Sequence, residues 1–282
     1  MKRAGSIAAV RRTLAAWRRA GDSIAFVPTM GALHRGHLSL VERARRSADR
    51  VVVSIFVNPL QFGPHEDLTR YPRPIRRDRE LLAAAGVNLL WEPGVKDLYG
   101  AGDCTRVRVE GLDHGLEGAV RPGHFTGVAT VVAKLLNVVA PDELWLGQKD
   151  GQQARLLEQM VDDLKMPVVI RRGPTVREPD GVACSSRNAY LTPAERREAV
   201  ALAHGLEEAR SALEAGERRA ARLIAQIRGI WKRYPRVRED YVAVVDAGSL
   251  EPVLKVERRV MIAVAARLGR TRLIDNFEWE PR

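Results

Sequence analysis

Short apolar runs alternate with stretches of helical period through the first 175 residues of the chain. The runs have the length of buried strands, and they lie at residues 24–27, 51–57, 87–91, 143–146 and 168–170. Strands that are joined by helical crossovers form parallel sheets with right-handed connections. The pattern therefore predicts a Rossmann-like, doubly wound α/β fold with a five-stranded parallel sheet in the order 3-2-1-4-5.

The pattern changes near residue 175 to longer helices followed by strand-like runs. Thr192, Pro193 and Glu195 match a capping box with proline at the first helical position, so a helix is expected to begin there. Further elements are expected as helices around 199–213 and 223–230 and as strands at 241–245 and 260–264. We therefore expect two domains, residues 1–174 with the parallel sheet and residues 175–282 as a smaller α+β domain.

Three more features are expected within the first domain. The apolar stretch at 128–140 is too long for a usual strand and predicts a buried helix, whereas residues 106–109 predict a short peripheral strand. Residues 58–74 form a long loop that is rich in proline and charge. Because the loops at the carboxyl edge of a parallel sheet bind ligands, this one is expected to act as a lid or a binding segment.

The loop after the first strand contains two histidines three positions apart, His34 and His37, beside Gly31 and Gly36. The first turn of a helix has unpaired N–H groups and the positive end of the helix dipole, so it favours anions. Glycines there let a nucleotide approach the backbone. We therefore expect both imidazoles to donate hydrogen bonds to phosphate oxygens.

Two later turns add groups that suit polyphosphate. The fourth strand ends in a second glycine turn, at Gly147, in which Lys149 supplies a cation at the same edge of the sheet. Ser185, Ser186 and Arg187 place two hydroxyls and a guanidinium in consecutive positions. These segments are expected to bind phosphate groups together with the paired histidines.

Several of these motifs resemble known sequences. The segment Met30-Gly31-Ala32-Leu33-His34-Arg35-Gly36-His37 resembles the His-x-Gly-His signature of the nucleotidyl-transferring superfamily that includes class I aminoacyl-tRNA synthetases. The segments that resemble the pantothenate synthetase family in particular are Pro28-Thr29-Met30-Gly31, Asn58-Pro59-Leu60-Gln61, Arg121-Pro122-Gly123-His124-Phe125 and Thr271-Arg272-Leu273-Ile274-Asp275-Asn276. The resemblance spans nearly the whole chain.

The resemblance implies ATP-dependent condensation of (R)-pantoate with β-alanine to pantothenate, AMP and diphosphate through pantoyl adenylate. It implies that catalysis rests on His34, His37, Lys149 and Arg187, and that Gln61 and Gln153 hold pantoate. The ATP-binding residues that it implies are Met30, Gly31, His34, Gly36, His37, Gly147, Gln148, Lys149, Asp150, Val176, Cys184, Ser185, Ser186 and Arg187. Cys184 stands where the family has methionine in Met-Ser-Ser-Arg-Asn, next to the adenine.

The resemblance also implies partners and assembly. The ATP-bound Mg²⁺ is expected to be held by phosphates and water, with no metal site on the protein, because the sequence offers no carboxylate cage. Residues 1–174 are expected to bind ATP and pantoate, residues 175–282 to form a lid over the ATP cleft, and the chain to form a homodimer. His124 is compatible with a catalytic role and with a role as a loop anchor.

Composition limits the alternatives. The two cysteines, Cys104 and Cys184, are too few for a disulfide framework, so a reduced cytoplasmic setting is expected, with no membrane span and no signal peptide. The net charge of +11 could indicate a basic RNA-binding protein. The arginines are spread over nearly every helix, however, and with 5% aromatic residues there is no stacking platform, so no specific nucleic-acid partner is expected.

Two enzymatic alternatives share the paired histidines. Another nucleotidyltransferase with the His-x-Gly-His motif would adenylylate a different small molecule, and one with a phosphate-bearing substrate would need cations where this chain has Gln61 and Gln153. A tRNA synthetase would need a separate anticodon-binding module, for which a chain of 282 residues is short.

Overall fold

The computed structural model of the chain describes residues 1–63, 66 and 68–281, and these residues divide into two compact units. The first unit comprises Met1–His114, Gly118–Gly147 and Leu156–Gly173. The second comprises Gly115–Glu117, Gln148–Arg155 and Pro174–Arg282. The predicted domain boundary at residue 174 would place Gly115–Glu117 and Gln148–Arg155 in the first domain. In the structure these two short segments belong to the second unit.

The first unit is built on a parallel sheet. Its strands are β1 (Lys2–Ala4), β2 (Ile24–Thr29), β3 (Arg50–Ile55), β4 (Leu89–Trp91), β5 (Glu143–Gly147) and β6 (Val169–Gly173). Across the described residues the order is β1-β4-β3-β2-β5-β6, and every neighbouring pair is parallel. The predicted doubly wound order is therefore confirmed for the strands from β2 onward.

The predicted count of five strands is wrong, because β1 adds a sixth strand at the edge of the part of the sheet that is described. This strand consists of Lys2, Arg3 and Ala4, of which only Ala4 is buried. Three residues with two charges give no apolar run. The strand forms because its backbone pairs with the open edge of β4.

The first unit contains the helices α1 (Ile7–Arg19), α2 (Arg35–Ser47), α3 (Ile75–Ala84), α4 (Val95–Leu98) and α6 (His124–Val139). Two further helices, α5 (Glu117–Val120) and α7 (Gly151–Asp163), begin in the second unit and continue into the first. Nearly all of α6 is buried, which confirms the predicted buried helix. The predicted strand at 106–109 is wrong: the Val107 N–H donates to the Thr130 hydroxyl on α6 (2.9 Å), so a helix side chain takes the place of a strand partner.

The second unit has the predicted α+β composition. Its elements are α8 (Pro193–Glu198), α9 (Val200–Glu214), α10 (Ala220–Trp231), β7 (Val237–Asp246), β8 (Val260–Leu268) and β9 (Thr271–Trp279). The strands pair antiparallel in the order β7-β8-β9. The predicted capping box is confirmed, since the Thr192 N–H donates to Glu195 (2.8 Å) and the Glu195 N–H to the Thr192 hydroxyl (3.3 Å).

Strand β9 was missing from the sequence-based prediction. Arg272 and Asp275 interrupt the apolar alternation that marks a strand. Both side chains are bound by ion pairs in the folded unit, Arg272 with Glu117 and Asp275 with Arg177. Strand β9 is therefore not visible in the apolar pattern, because its polar residues have partners far away in the sequence.

None of the helices in the described ranges combines the length and the apolar character that crossing a membrane requires.

Candidate active site

The two histidines form the N-terminal cap of α2. His34 is the N-cap residue, and its Nδ1 accepts a hydrogen bond from the Gly36 N–H (3.2 Å). The Nδ1 of His37 accepts in turn from the His34 N–H (3.4 Å), which completes a reciprocal capping box. The ring centroids lie 4.1 Å apart, so the structure brings both imidazoles together at the helix start.

These hydrogen bonds assign the tautomer of both rings. A ring nitrogen that accepts a hydrogen bond carries no proton, so each neutral imidazole of His34 and His37 has its proton on Nε2. The helix start therefore holds two Nε2–H donors of fixed orientation, next to the positive end of the helix dipole. This arrangement suits the oxygens of an anion such as phosphate.

The backbone before the histidines is held by Asp78, a residue that the sequence analysis did not select. Gly31 and Ala32 both have positive φ, 80° and 51°. The Ala32 N–H donates to Asp78 Oδ2 (2.8 Å) and the Leu33 N–H to Asp78 Oδ1 (2.9 Å). Asp78 is 1% exposed and lies four positions before the buried Leu82 on α3. A charged residue on the apolar face of a helix is the signal that could have identified it.

Gln61 lies in a short 3-10 helix, Pro59–Gln61, beside the same loop. Its Nε2 is 2.9 Å from the sulfur of Met30, so the structure brings these two predicted residues together. Its Oε1 accepts from Asn58 Nδ2 (3.1 Å). Asn58 in turn accepts from the hydroxyl of Tyr99 (2.8 Å). Burial raises the pKa of Tyr99 to about 12, so this phenol stays a neutral donor at physiological pH.

His124 contacts the backbone of Gln61. Its Nδ1 lies 2.8 Å from the Gln61 carbonyl oxygen, which can only accept, so Nδ1 donates and Nε2 is left to accept from Arg121 (3.0 Å). Arg121 also donates to the Gln61 carbonyl (3.2 Å) and pairs with Glu66 (2.6 Å). This geometry favours the loop-anchor interpretation of His124. Residues 64, 65 and 67 of the predicted lid loop lie outside the described residues.

In the second unit the Gln148–Asp150 turn is a 3-10 helix that leads into α7. Lys149 and Ser185 line one small pocket together with Asn188 and Asp275, so two predicted phosphate-binding segments meet there. The ammonium of Lys149 forms an ion pair with Asp150, whose Oδ1 lies 3.4 Å from Nζ.

The segment around Cys184 is folded back on itself. The Cys184 N–H donates to the Val176 carbonyl (2.9 Å), which brings two predicted ATP-binding residues together. Ser185 caps the 3-10 helix Ser186–Tyr190 by accepting from the Arg187 N–H (3.3 Å). The thiol of Cys184 is 2% exposed and lies 3.4 Å from Glu178, so Cys184 is shielded and suits packing rather than nucleophilic chemistry.

Gln152 and Gln153 differ in their surroundings. Gln152 is buried, accepts from the Glu117 N–H (2.9 Å) and donates to the Gly115 carbonyl (2.9 Å). Gln153, the predicted pantoate residue, is half-buried near the start of α7. Gln152 thus ties the Gly115–Glu117 segment to α7 within the second unit, which leaves Gln153 as the candidate for binding.

A sequence model of the family described as pantoate-beta-alanine ligase matches residues 2–278 of the chain. The chain belongs to this family. The resemblance that was drawn from the histidine, glutamine and serine motifs is therefore confirmed over nearly the whole length of the protein.

Curated relatives and solved structures agree with the pantoate-beta-alanine ligase assignment. The pantothenate synthetase of Moorella thermoacetica is 53% identical over 275 residues, which is 98% of this chain and 97% of the relative. A solved structure of pantothenate synthetase from Thermus thermophilus has a TM-score of 0.95 at 47% identity and covers 100% of both chains.

A second solved structure in the family contains ligands. The pantoate-beta-alanine ligase of Francisella tularensis, complexed with beta-gamma ATP and beta-alanine, has a TM-score of 0.81 at 35% identity. It covers 98% of this chain and 97% of its own. This chain therefore shares its fold with a family member that was solved in complex with beta-gamma ATP and beta-alanine.

Proposed function

We propose that this chain condenses (R)-pantoate with β-alanine to give pantothenate, AMP and diphosphate through a pantoyl-adenylate intermediate. The observation that carries the proposal is the pair of Nε2–H donors of His34 and His37 at the start of α2. The identity of the substrates is inferred from membership of the pantoate-beta-alanine ligase family.

In the first step a pantoate carboxylate oxygen attacks the α-phosphorus of ATP. The bond between this phosphorus and the bridging oxygen to the β-phosphate breaks, and diphosphate leaves with the bonding electrons. Negative charge then builds up on the α- and β-phosphate oxygens, which His34 and His37 stabilise by donating from Nε2. Donors that are fixed before the reaction are each worth about 3 kcal/mol of barrier.

In the second step the amine of β-alanine attacks the carbonyl carbon of the adenylate. The carbon–oxygen bond to the phosphate breaks, AMP leaves with that oxygen, and the nitrogen loses a proton. The mixed anhydride would hydrolyse in open water, so the active site must exclude water during this step.

Lys149 and Arg187 are proposed to offset the negative charge of the polyphosphate. Ser185 and Ser186 are proposed to donate hydrogen bonds to the leaving diphosphate. The support for Lys149 and Ser185 is that both line one pocket of the second unit. Two hydroxyl donors that act together with two cations suit an anion with several oxygens.

Gln61 and Gln153 are proposed to bind the hydroxyl and carboxylate groups of pantoate. Gln61 is oriented by the Asn58 amide and lies against the Met30 thioether, so these two contacts are neutral. A neutral amide suits a hydroxy acid better than a phosphorylated substrate, which supports pantoate over the alternative nucleotidyltransferase substrates.

ATP is proposed to bring Mg²⁺ with it. In the ranges that the structure describes, no three His, Cys, Asp or Glu side chains converge to hold a metal. Phosphate oxygens and water, which Mg²⁺ accepts readily, would then be its main ligands, and Lys149 would share the charge of the phosphates.

Four expectations from the sequence stay predictions. These are ATP and pantoate binding by residues 1–174, a lid role for residues 175–282, assembly as a homodimer, and a cytoplasmic location. The role of the 58–74 loop as a lid or a binding segment also stays a prediction.

The test is pantoate-dependent exchange of labelled diphosphate into ATP without β-alanine, which reports the first step alone. We expect exchange in the wild type and a loss of about 10²–10³-fold in His37→Ala, because one transition-state donor is removed. The matched control is His204→Ala, an exposed histidine on α9 whose Nδ1 contacts Tyr234 (2.6 Å). Exchange that does not need pantoate, or that His37→Ala retains in full, would contradict the proposal.

A further inference from the structure

Asp275 and Asn276 are adjacent buried polar residues on strand β9 that the proposed chemistry does not use. They are 2% and 6% exposed. Both lie in the second unit together with the segments that are proposed to bind the polyphosphate. Their partners belong to those segments.

Asn276 holds the turn that carries Lys149. Its Nδ2 donates to the carbonyl oxygen of Lys149 (2.6 Å), and its Oδ1 accepts from Gln148 Nε2 (3.2 Å). The side-chain amide thus bonds both to the backbone of Lys149 and to the side chain of the residue before it. Because the peptide group that follows Lys149 is planar, fixing this oxygen fixes the orientation of that peptide plane and limits the movement of the turn that carries Lys149.

Asp275 holds the segment that leads into Ser185. Its carboxylate accepts from Arg177 Nη1 (2.6 Å) and Nη2 (3.2 Å). Arg177 also donates to the Gly181 carbonyl (3.0 Å), and its backbone forms a bridge with Ala183. The ion pair therefore braces the 177–183 turn immediately before the serines.

The two residues are also bonded to one another, because the Asn276 N–H donates to Asp275 Oδ1 (2.9 Å). Asp275 itself lines the pocket that Lys149 and Ser185 share. Strand β9 thus holds both the turn at Lys149 and the segment at Arg177, which are 28 positions apart in the sequence.

We propose that Asp275 and Asn276 are positioning residues that set the relative placement of Lys149 and the Ser185–Arg187 segment for the polyphosphate of ATP. This inference deepens the proposed function and rests on it. Removing either residue weakens nucleotide binding without changing the binding of pantoate.

The test measures the dissociation constant of ATP with Mg²⁺ by calorimetry for the wild type and for Asn276→Ala. Asn276→Ala removes both side-chain hydrogen bonds of Asn276, and we expect it to weaken ATP binding about five- to tenfold. The control is Asn137→Ala at an exposed position of α6. An unchanged ATP dissociation constant in Asn276→Ala would overturn the inference.

Two further readouts distinguish a positioning role of Asn276 from a merely structural one. Positioning predicts a raised KM for ATP with an unchanged KM for pantoate, and faster amide exchange at residues 148–151 with the rest of the second unit unchanged. A lower melting temperature with the same KM for ATP would instead mean that Asn276 only stabilises the fold.

Asp275→Asn keeps the size of the side chain, so it tests the same inference if Asn276→Ala fails to fold. A double-mutant cycle with Arg177→Ala, read out in ATP affinity, is expected to show that the two changes are not additive. Additive effects on ATP affinity would contradict a shared positioning role.

The outcomes also separate this inference from the proposed function. If the wild type binds ATP and Asn276→Ala weakens it, but no pantothenate forms, the positioning role stands and the proposed reaction is wrong. If pantothenate forms and ATP affinity is the same in both proteins, the proposed reaction stands and the inference is wrong.

Discussion

The buried carboxylate of Asp78 holds the loop before His34 and thereby helps to orient both histidines. Each of its oxygens accepts one backbone N–H of the loop before His34, from Ala32 and Leu33. Ala32 has a positive φ of 51°, which a side chain disfavours, so the two hydrogen bonds offset local strain. Without them the loop would relax and the cap formed by the histidines would shift.

We predict that Asp78→Asn lowers the free energy of unfolding by about 1–3 kcal/mol, because the amide can accept only one of the two N–H groups well. Diphosphate exchange should fall as well, since the loop carries His34. Urea denaturation and the exchange assay measure the two effects. Glu80→Gln on the exposed face of α3 is the control, and an Asp78→Asn protein with wild-type stability and exchange would contradict this account.

The sequence identified residues whose chemistry is visible locally. His34 and His37 share one turn with two glycines, so their placement together at a helix start was predictable from the local sequence. Asp78 and Asn58 were missed because their partners lie elsewhere in the chain: Asp78 binds a loop 45 positions away, and Asn58 binds the Gly127 carbonyl 69 positions away. Tertiary hydrogen bonds of this kind leave no short-range pattern.

Among the elements, α6 packs closely against the 3-10 helix Pro59–Gln61, which carries the proposed pantoate residue Gln61. A Cβ on Gly127 would lie 2.3 Å from the Leu60 carbonyl oxygen and 2.8 Å from the Gln61 backbone nitrogen. Those atoms are backbone and cannot move away cheaply. Glycine at this position therefore allows α6 to approach the turn that carries Gln61.

We predict that Gly127→Ala destabilises the protein by about 1–3 kcal/mol through overpacking and raises the KM for pantoate. Gly229 offers a matched control, because it lies in α10 and a Cβ added there would meet nothing within 4 Å. Gly229→Ala should stabilise by about 0.5–1 kcal/mol from helix propensity. Thermal melts measure the stability of both variants, and kinetics with varied pantoate measure the KM. A stability change of the same sign in both variants would contradict the prediction.

Elements with a continuous apolar run were predictable, and those without one were not. The order of β2 to β6 follows from their apolar runs and their crossovers. The polar edge strand β1 and the charge-interrupted β9 were missed, and residues 106–109 bond to Thr130 instead of a strand. In all three cases the structure depends on contacts with residues far away in the sequence.

At the scale of the whole molecule, two half-buried tyrosines, Tyr99 and Tyr241, contribute to the response of stability to high pH. Burial raises the pKa of Tyr99 from its ordinary value of 10.0 to about 12, and burial followed by Glu117 raises the pKa of Tyr241 well above 10.0. A raised folded-state pKa contributes stability that is complete below pH 10 and is lost as the pH rises from 10 towards the folded value, because only the unfolded chain then gives up the proton.

We predict that the free energy of unfolding falls between pH 10 and about 12, and that Tyr99→Phe reduces this fall. The variant is less stable at pH 8, because it loses the hydrogen bond to Asn58. Urea denaturation from about pH 8 to about pH 11.5 measures both effects. A Tyr99→Phe profile parallel to that of the wild type would show that Tyr99 does not titrate differently in the two states.

The most direct test of the central claim is the reaction itself with pantoate labelled with ¹⁸O in its carboxylate, together with ATP, Mg²⁺ and β-alanine. If the carboxylate attacks the α-phosphorus, pantothenate and AMP form in equal amounts and each AMP carries one ¹⁸O from pantoate. Formation of ADP with the label in inorganic phosphate, or AMP without label, would contradict the adenylate mechanism, and absence of pantothenate would contradict the assigned function.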